Sequence, residues 1–519
     1  MRPGLILLLL AGGGLLAGRL SGDSSVPNAT NQISKISLLE AVRLTLENDP
    51  VLAVEKQNVE ISRGQAQVAT GQFDTTLNAT LTRTLDNSAL PADSTLNAFS
   101  RLTTDQADYR VGATKQFRSG VTINPGVELT RTDDNVTGPA LNRASVNFFI
   151  QVPLARGLGE RVTGAAERAA KINLEAAGLA YQHRVSERVL NTAQAYWTYA
   201  SAVQQLAIQS ATESRARVFV DQMQALVKAD ELPKSELDKV AANLASDTAS
   251  RIAAEQALIE TRHALGIAIG LAGDRIAALP PPANEFPALA GNELSEQLSL
   301  PALLAEALQR RADLAAAIRA RDATKALQIS AKDGLKPRVD LGLKVGYAGV
   351  DGGSHAADLF RPFGENVEGV NALGVLTFEF PPANNVARGQ LRQADAAVEQ
   401  ARIRADDLAR NIRSNVLLGM ERLRHGALQV RQAEEADRLY QTAVVNEREK
   451  LNLGMATVLD ILQLEDRLTA AALGSLQARF GYALALVQLR FETGTLTTTG
   501  QNHGAVSWEN LTTVPSLPK

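Results

Sequence analysis

From Arg388 to Gly494 the chain contains no proline, and two Ala-, Leu-, Gln-, Glu- and Arg-rich arms meet at Leu453-Gly454-Met455-Ala456-Thr457-Val458-Leu459-Asp460-Ile461-Leu462. Such composition favours helix interiors, so Gly454 marks a helix end and Thr457 caps a returning helix. Helices joined by so short a turn run antiparallel and side by side. Arms of roughly 40 to 60 residues, each rising about 1.5 Å, project on the order of 60 to 90 Å. An ordinary globular domain has no use for such a rod.

The same half-pattern occurs earlier. Arg161 to Lys228 is helical by composition, and Val185, Val189, Thr192, Tyr196, Tyr199, Val203 and Leu206 form a 3.5-residue seam. Leu190, Ala193, Trp197, Ala200 and Ala207 form a second seam beside it, as in a helix with neighbours on both sides. The helix stops at Ala229-Asp230-Glu231-Leu232-Pro233-Lys234-Ser235-Glu236, where Pro233 and Ser235 suit a new N-terminus. Only 4% of residues are aromatic, so these helices pack through small side chains.

Before each long hairpin the hydrophobic period changes from helical to two. Phe73 to Leu81 alternates, as do Tyr109 to Ala113, Val121 to Leu129 and Val146 to Val152. Each run is close to membrane-strand length. In the second half Val339, Leu341, Leu343, Val345 and Tyr347 alternate with smaller or polar residues, and a partner strand runs from Leu373 to Phe380. Ahead of the strands, LENDPVLA at 46–53 corresponds to LQRRADLA at 308–315. The chain is therefore one duplicated unit: helix, strands, long helix, turn, long helix, twice. Neither half has enough strands to close a barrel, and open edges cannot face lipid. Closure has to come from several chains, which would pool their helices into a tube.

Arg2 followed by Leu5 to Leu10 and by Leu15, Leu16 and Ala17 has the form of an export signal. No later stretch offers about 18 consecutive apolar residues, so membrane entry as a helix bundle is not expected. The division expected is 1–22 signal peptide, 23–35 N-terminal segment, 36–278 first repeat, 279–297 proline-rich linker, 298–494 second repeat and 495–519 tail. A net charge of -3 gives no pull towards nucleic acid, and the lack of cysteine excludes disulfides, thiolate metal sites and lipidation through cysteine.

In these features the sequence resembles the TolC family of outer-membrane efflux proteins, from about Ile36 to Gly494. Arg311-Ala312-Asp313-Leu314 resembles the family's Arg-Pro-Asp-Leu, Asn48-Asp49-Pro50 its Asn-Pro, and the turn at Leu453 to Leu462 matches closely. The resemblance implies a mainly α, mixed fold: a homotrimer with a 12-stranded β-barrel in the outer membrane, continued by a long periplasmic α-helical barrel. It also implies a passive exit duct for efflux or type I secretion, with no catalytic machinery or cofactor. Its expected partners are a periplasmic adaptor (membrane fusion protein), an inner-membrane transporter and outer-membrane lipid. This chain departs from the family at the alternation between Tyr109 and Leu129, which suggests an extra hairpin, and at Ala229-Asp230-Glu231, where glycine is common.

On that resemblance Leu453, Gly454, Met455 and Thr457, with Leu232, Pro233 and Ser235, are expected to dock the adaptor; helix capping alone is the competing reading. Glu447, Glu449, Asp437 and Tyr440 are pore or gate candidates by location, against a solvated helix face. Tyr109, Phe117, Phe148, Tyr347 and Phe378 are candidates for the membrane interface. His183, His263, His355, His425 and His503 are isolated, and no P-loop, dinucleotide fingerprint, nucleophile elbow or zinc-protease motif is present. Nothing points to an enzyme. A secreted or periplasmic coiled-coil scaffold with a soluble β-domain is the alternative, and it would not need a duplicated strand-hairpin unit.

Overall fold

The computed structural model describes residues 35–89, 101–136, 138–230, 233–289, 299–367, 369–497 and 506–515. The expected signal peptide, nearly all of 23–35, Leu232, and parts of the linker and tail lie outside the described residues.

The duplication is written in element lengths. Helices α1 (Leu38–Asn48) and α2 (Pro50–Gly71) flank Asp49; α7 (Leu300–Arg310) and α8 (Ala312–Asp333) flank Arg311, with 11 and 22 residues in each case. Asp49 stops one helix and starts the next: its side chain accepts from the Val51 N–H at 2.7 Å, and Pro50 occupies the first turn. Long hairpins follow in both halves. The first pairs α4 (Ala165–Lys228, 64 residues) with α5 (Lys234–Ala268, 35), and the second pairs α9 (Asn385–Asn452, 68) with α10 (Val458–Glu492, 35). Short helices α3 (Glu160–Thr163), α6 (Gly273–Ala277) and α11 (Trp508–Thr512) complete the α-helices among the described residues, and two 3-10 turns, Ala356–Leu359 and Arg361–Phe363, lie between the last two strands. At about 1.5 Å per residue α9 alone is about 100 Å long.

The helices form one layer. Nearer the strands the order is α2, α4, α8, α9; further away it is α5, α4, α10, α9, so each level holds four. Where the levels meet, the seam residues Val189, Tyr196 and Trp197 pack with Leu38, Leu265, Ile269 and Val487. The Tyr196 hydroxyl donates towards the Ile36 carbonyl and accepts from the Asn284 N–H, each at 3.1 Å. That satisfies a buried phenol and fixes the start of the linker against α4. Both seams are buried as far as Ala200, but Ala207 is exposed. Helix α10 is the one described helix long and apolar enough to cross a membrane. Its apolar stripe, Leu476, Ala478, Tyr482, Leu486 and Leu489, is instead buried in the layer.

All six strands make one antiparallel sheet in sequence order: β1 (Thr75–Ala89), β2 (Arg101–Gln116), β3 (Thr122–Asp134), β4 (Leu141–Pro153), β5 (Arg338–Gly352) and β6 (Asn371–Glu379). The extra alternation between Tyr109 and Leu129 is β2 and β3, paired on both sides between β1 and β4. The chain thus brings six strands where three chains closing a 12-stranded barrel would bring four each. Only at Pro125, which has no N–H to give, does the β2–β3 pairing skip residues.

Candidate channel wall and helix tips

Register assigns each strand residue to a face, and the two faces differ in kind. One row runs Ala79, Val111, Val127, Val146, Tyr347, and the next runs Leu81, Tyr109, Leu129, Ala144, Gly349. The neighbouring row on the other face runs Thr80, Arg110, Glu128, Ser145, Ala348. On the apolar face Leu77 at one edge of the sheet and Leu376 and Phe378 at the other are 82, 66 and 69% exposed, and the apolar rows run between them. On the polar face Arg110 pairs with Glu128 at 2.6 Å and Thr130 donates to Asp108 at 2.7 Å. A cavity of about 550 Å³ opens there, lined also by Arg143 and Lys344. One row above Leu81 the apolar face ends in Arg83, Ala107, Arg131, Asn142 and Asp351.

The segment between β5 and β6 folds back over that upper margin. Gly349 is required by this approach, because a Cβ there would lie 1.9 Å from the Pro362 carbonyl. Asn142 and Arg131 donate to the carbonyls of Gly353 and Ser354 at 2.9 and 2.8 Å, leaving Phe360 exposed beside the apolar rows. Of the aromatic candidates, Tyr109 and Tyr347 lie in the upper apolar rows. Phe378 lies one residue before the end of β6 at the opposite margin, Phe117 begins the turn there, and Phe148 sits mid-face.

At the lower margin the β2–β3 turn is bolted to the helices. Arg118 donates to both Glu167 carboxylate oxygens at 2.9 Å and stacks over the Phe73 ring at 4.7 Å. The Thr163 hydroxyl donates to the Arg118 carbonyl, and Lys171 reaches Glu167 at 2.7 Å. These bonds, Arg118 first and Lys171 second, hold the Glu167 carboxyl down to about 2 against its burial. Further along, Arg311 is buried between Asp313 and Glu492, each at 2.7 Å, and lies over Phe491. Its counterpart in the first half is Asp49 with Arg188. Both arrangements tie the start of a 22-residue helix to a long one and are structural.

The two hairpin turns lie together at the far end. Phe219 and Met223 of α4 and Val240 of α5 pack with Val458 and Ile461 of α10. At the second turn Gly454 has φ of 71°, and the Met455 N–H reaches back to the Lys450 carbonyl at 2.8 Å. Thr457 and Asp460 cap each other's N–H groups as a capping box. At the first turn Asp230, with φ of 56°, takes the left-handed place that glycine fills in the second. Pro233 is the N-cap residue there, and Ser235 lies inside the first turn of α5 without capping it. Leu453, Gly454, Met455, Thr457, Pro233 and Ser235 are all exposed, Leu453 to 71% and Met455 to 67%.

The gate candidates on α9 do not form one cluster. Glu447 pairs with Lys450 at 2.9 Å, Glu449 is exposed, Asp437 accepts from Gln441 at 3.0 Å, and Tyr440 is half-buried. A tighter arrangement lies beside them. Glu465 of α10 receives Arg215 of α4 at 2.9 Å on one oxygen and Arg448 of α9 on the other. Thr212 and Thr469 hydroxyls are 3.1 Å apart, and Asp247 of α5 and Asp466 complete the group. Burial first and Asp466 second raise the Asp247 carboxyl; burial and then Glu465 raise Asp466. The sequence does not reveal this group because its members lie on four helices up to 257 residues apart, with no local pattern. Among the described residues no three His, Cys, Asp or Glu are placed to hold a metal.

No protein-family model and no curated protein matches the chain. Solved structures do match. The Campylobacter jejuni CmeC outer membrane channel superposes with a TM-score of 0.66 at 15% identity, over 95% of this chain and 94% of that one. The outer-membrane channel OprN gives 0.64 at 15%, covering 88 and 90%. The open state of the Neisseria gonorrhoeae MtrE outer membrane channel gives 0.61 at 16%, covering 88% of each. The chain has the fold of the TolC-like outer-membrane channels, mainly helical with an antiparallel sheet.

Proposed function

We propose that this chain is the outer-membrane channel of a tripartite efflux or type I secretion system. Three copies form a passive duct, docked by the hairpin tips to a periplasmic adaptor and supplied by an inner-membrane transporter. The observation that carries the reading is the sheet: one apolar and one polar face, continuous from β1 to β5 and joined to helices about 100 Å long. Lipid covers the apolar face, the polar face lines a water-filled bore, and the helices cross the periplasm. Similarity in fold to proteins described as outer-membrane channels supports this.

Leu453, Gly454, Met455, Thr457, Leu232, Pro233 and Ser235 form the adaptor surface in this reading, an apolar rim around exposed turn backbone. The closed state is held where Glu465 joins Arg215 of the first hairpin to Arg448 of the second. Glu447, Glu449, Asp437 and Tyr440 lie along the same stretch of α9. Opening separates the hairpins, so the Glu465 bonds are broken in the open state.

Single-channel recording of the purified assembly in planar bilayers tests both points. The unmodified protein is expected to give small, rare openings, and Glu465→Gln several-fold more frequent or larger ones. Equal conductance of the two would remove Glu465 from the gate. An assembly that never inserts would remove the channel itself.

A further inference from the structure

We infer that three copies close an eighteen-stranded barrel, with β6 of one copy pairing antiparallel to β1 of the next and Leu376 opposite Ala79. The exit through the membrane is then as wide as the helical tube that feeds it and passes bulky, fully hydrated solutes without a second narrowing. The inference rests on the channel reading above and specifies its membrane portion.

The hairpin that raises the strand number is part of the wall. Strands β2 and β3 continue both faces of the sheet without a change of sign, and their lower turn is fastened to the helices through Arg118, Glu167 and Thr163. A hairpin lying outside the wall would put Val111, Val127 and Leu129 in water and leave Arg110, Glu128 and Asp108 without a lumen to face.

The two outer edges call for a partner. Strands β1 and β6 expose every residue over 15 and 9 positions, with neither proline nor a bulge. Natural sheets blunt a free edge of that length unless another strand takes it. With an even number of strands per chain, β6 runs opposite to the next copy's β1, so the second copy is the occupant that keeps the pattern antiparallel.

Register follows from the stagger already present. Crossing the sheet at right angles to the strands leads from Thr75 through Lys115, Ile123, Ile150 and Leu343 to Gly374. Thr75 is the first residue of β1, but β6 runs on to Glu379. The lower margin therefore drops by about one residue per strand, which for the usual spacings is a tilt of about 35°, as in membrane barrels. Carrying that stagger one strand further sets Gly374 opposite Leu81, Leu376 opposite Ala79 and Phe378 opposite Leu77, with all six on the apolar face.

Size agrees with this count. Eighteen strands at about 4.8 Å spacing and a tilt of 35 to 45° have a circumference of roughly 105 to 120 Å. Twelve helices, four per copy, at about 8 to 10 Å between axes make roughly 95 to 120 Å. Twelve strands would make only about 70 to 80 Å. Barrels of 16 to 18 strands leave an open aqueous channel about as wide as a porin's.

Electron cryomicroscopy of the unmodified assembly in lipid nanodiscs counts the strands directly. Eighteen strands with β6 beside the next copy's β1 are expected. A membrane-inserted trimer with twelve wall strands, and β2 and β3 outside, would overturn this inference and leave the channel reading standing; a particle with no inserted ring would take both. The chain has no cysteine, so register can be tested by Ala79→Cys with Leu376→Cys in one chain. Facing residues in an antiparallel pair have Cα atoms about 4.5 to 5.5 Å apart, within disulfide reach. Oxidation is expected to give covalent trimers that reducing agent dissolves; an assembled trimer that yields only single chains would overturn the proposed pairing.

Discussion

Glu167 shows how much can rest on one side chain at a junction. It is buried, yet its carboxylate holds Arg118 from the sheet and Lys171 from its own helix. Because its pKa lies at about 2, below the ordinary carboxylate value, it stabilises the fold fully above that ordinary value, and the contribution is lost as pH falls towards about 2. Thermal unfolding followed between about pH 5 and 2 should show the unmodified protein losing stability steadily. Glu167→Gln should start lower and lose less over the same window, and an equal acid slope in both would show that the bond contributes nothing. Little of this was visible in the sequence: Arg118 and Glu167 are 49 residues apart and belong to patterns of different period. The turn at Gly454 was visible, because a left-handed glycine, a capping threonine and its aspartate lie within seven residues and act locally.

At the scale of the element, alternation decides which solvent each side chain meets. Val127 and Thr130 belong to the same strand but to opposite faces. A lysine on the lipid face near mid-membrane costs about 2 to 4 kcal/mol, while one in a wet lumen costs little. Val127→Lys should therefore reduce the assembled, membrane-extracted protein sharply. Thr130→Lys, beside Asp108, should assemble normally and shift the ion selectivity of the pore. Comparable loss in both variants, read from gels of membrane fractions, would mean that the faces have been assigned wrongly. Alternation also revealed strands in the sequence, but it fades towards the upper ends of the strands. Arg83, Asp105 and Arg131 interrupt the apolar series of β1, β2 and β3, so the sequence shows these strands shorter than they are. Whether the hairpin between Tyr109 and Leu129 lay inside the sheet depended on pairing with β1 and β4, which no local pattern encodes. The helical duplication was easier to see, since 11- and 22-residue helices around Asp49 and Arg311 share apolar spacing even where the residues differ.

The molecule as a whole is an open piece of wall. Its strands end in two bare edges, β1 and β6, so a lone chain is at rest in neither solvent: water meets the apolar face, and lipid would meet unpaired peptide groups. In the proposed channel, closure and insertion are then one event. In a dilution series, the rate at which refolding chain becomes heat-resistant assembly in detergent should rise more steeply than the chain concentration, and a rate independent of concentration would show that single chains insert. Bare edges at opposite ends of a chain also have a genetic consequence. A chain with Thr80→Pro in β1 would still offer a sound β6, enter a ring and leave it unclosed. In rings of three drawn from equal numbers of sound and damaged chains, only about one in eight would be wholly sound, so such an allele would be dominant.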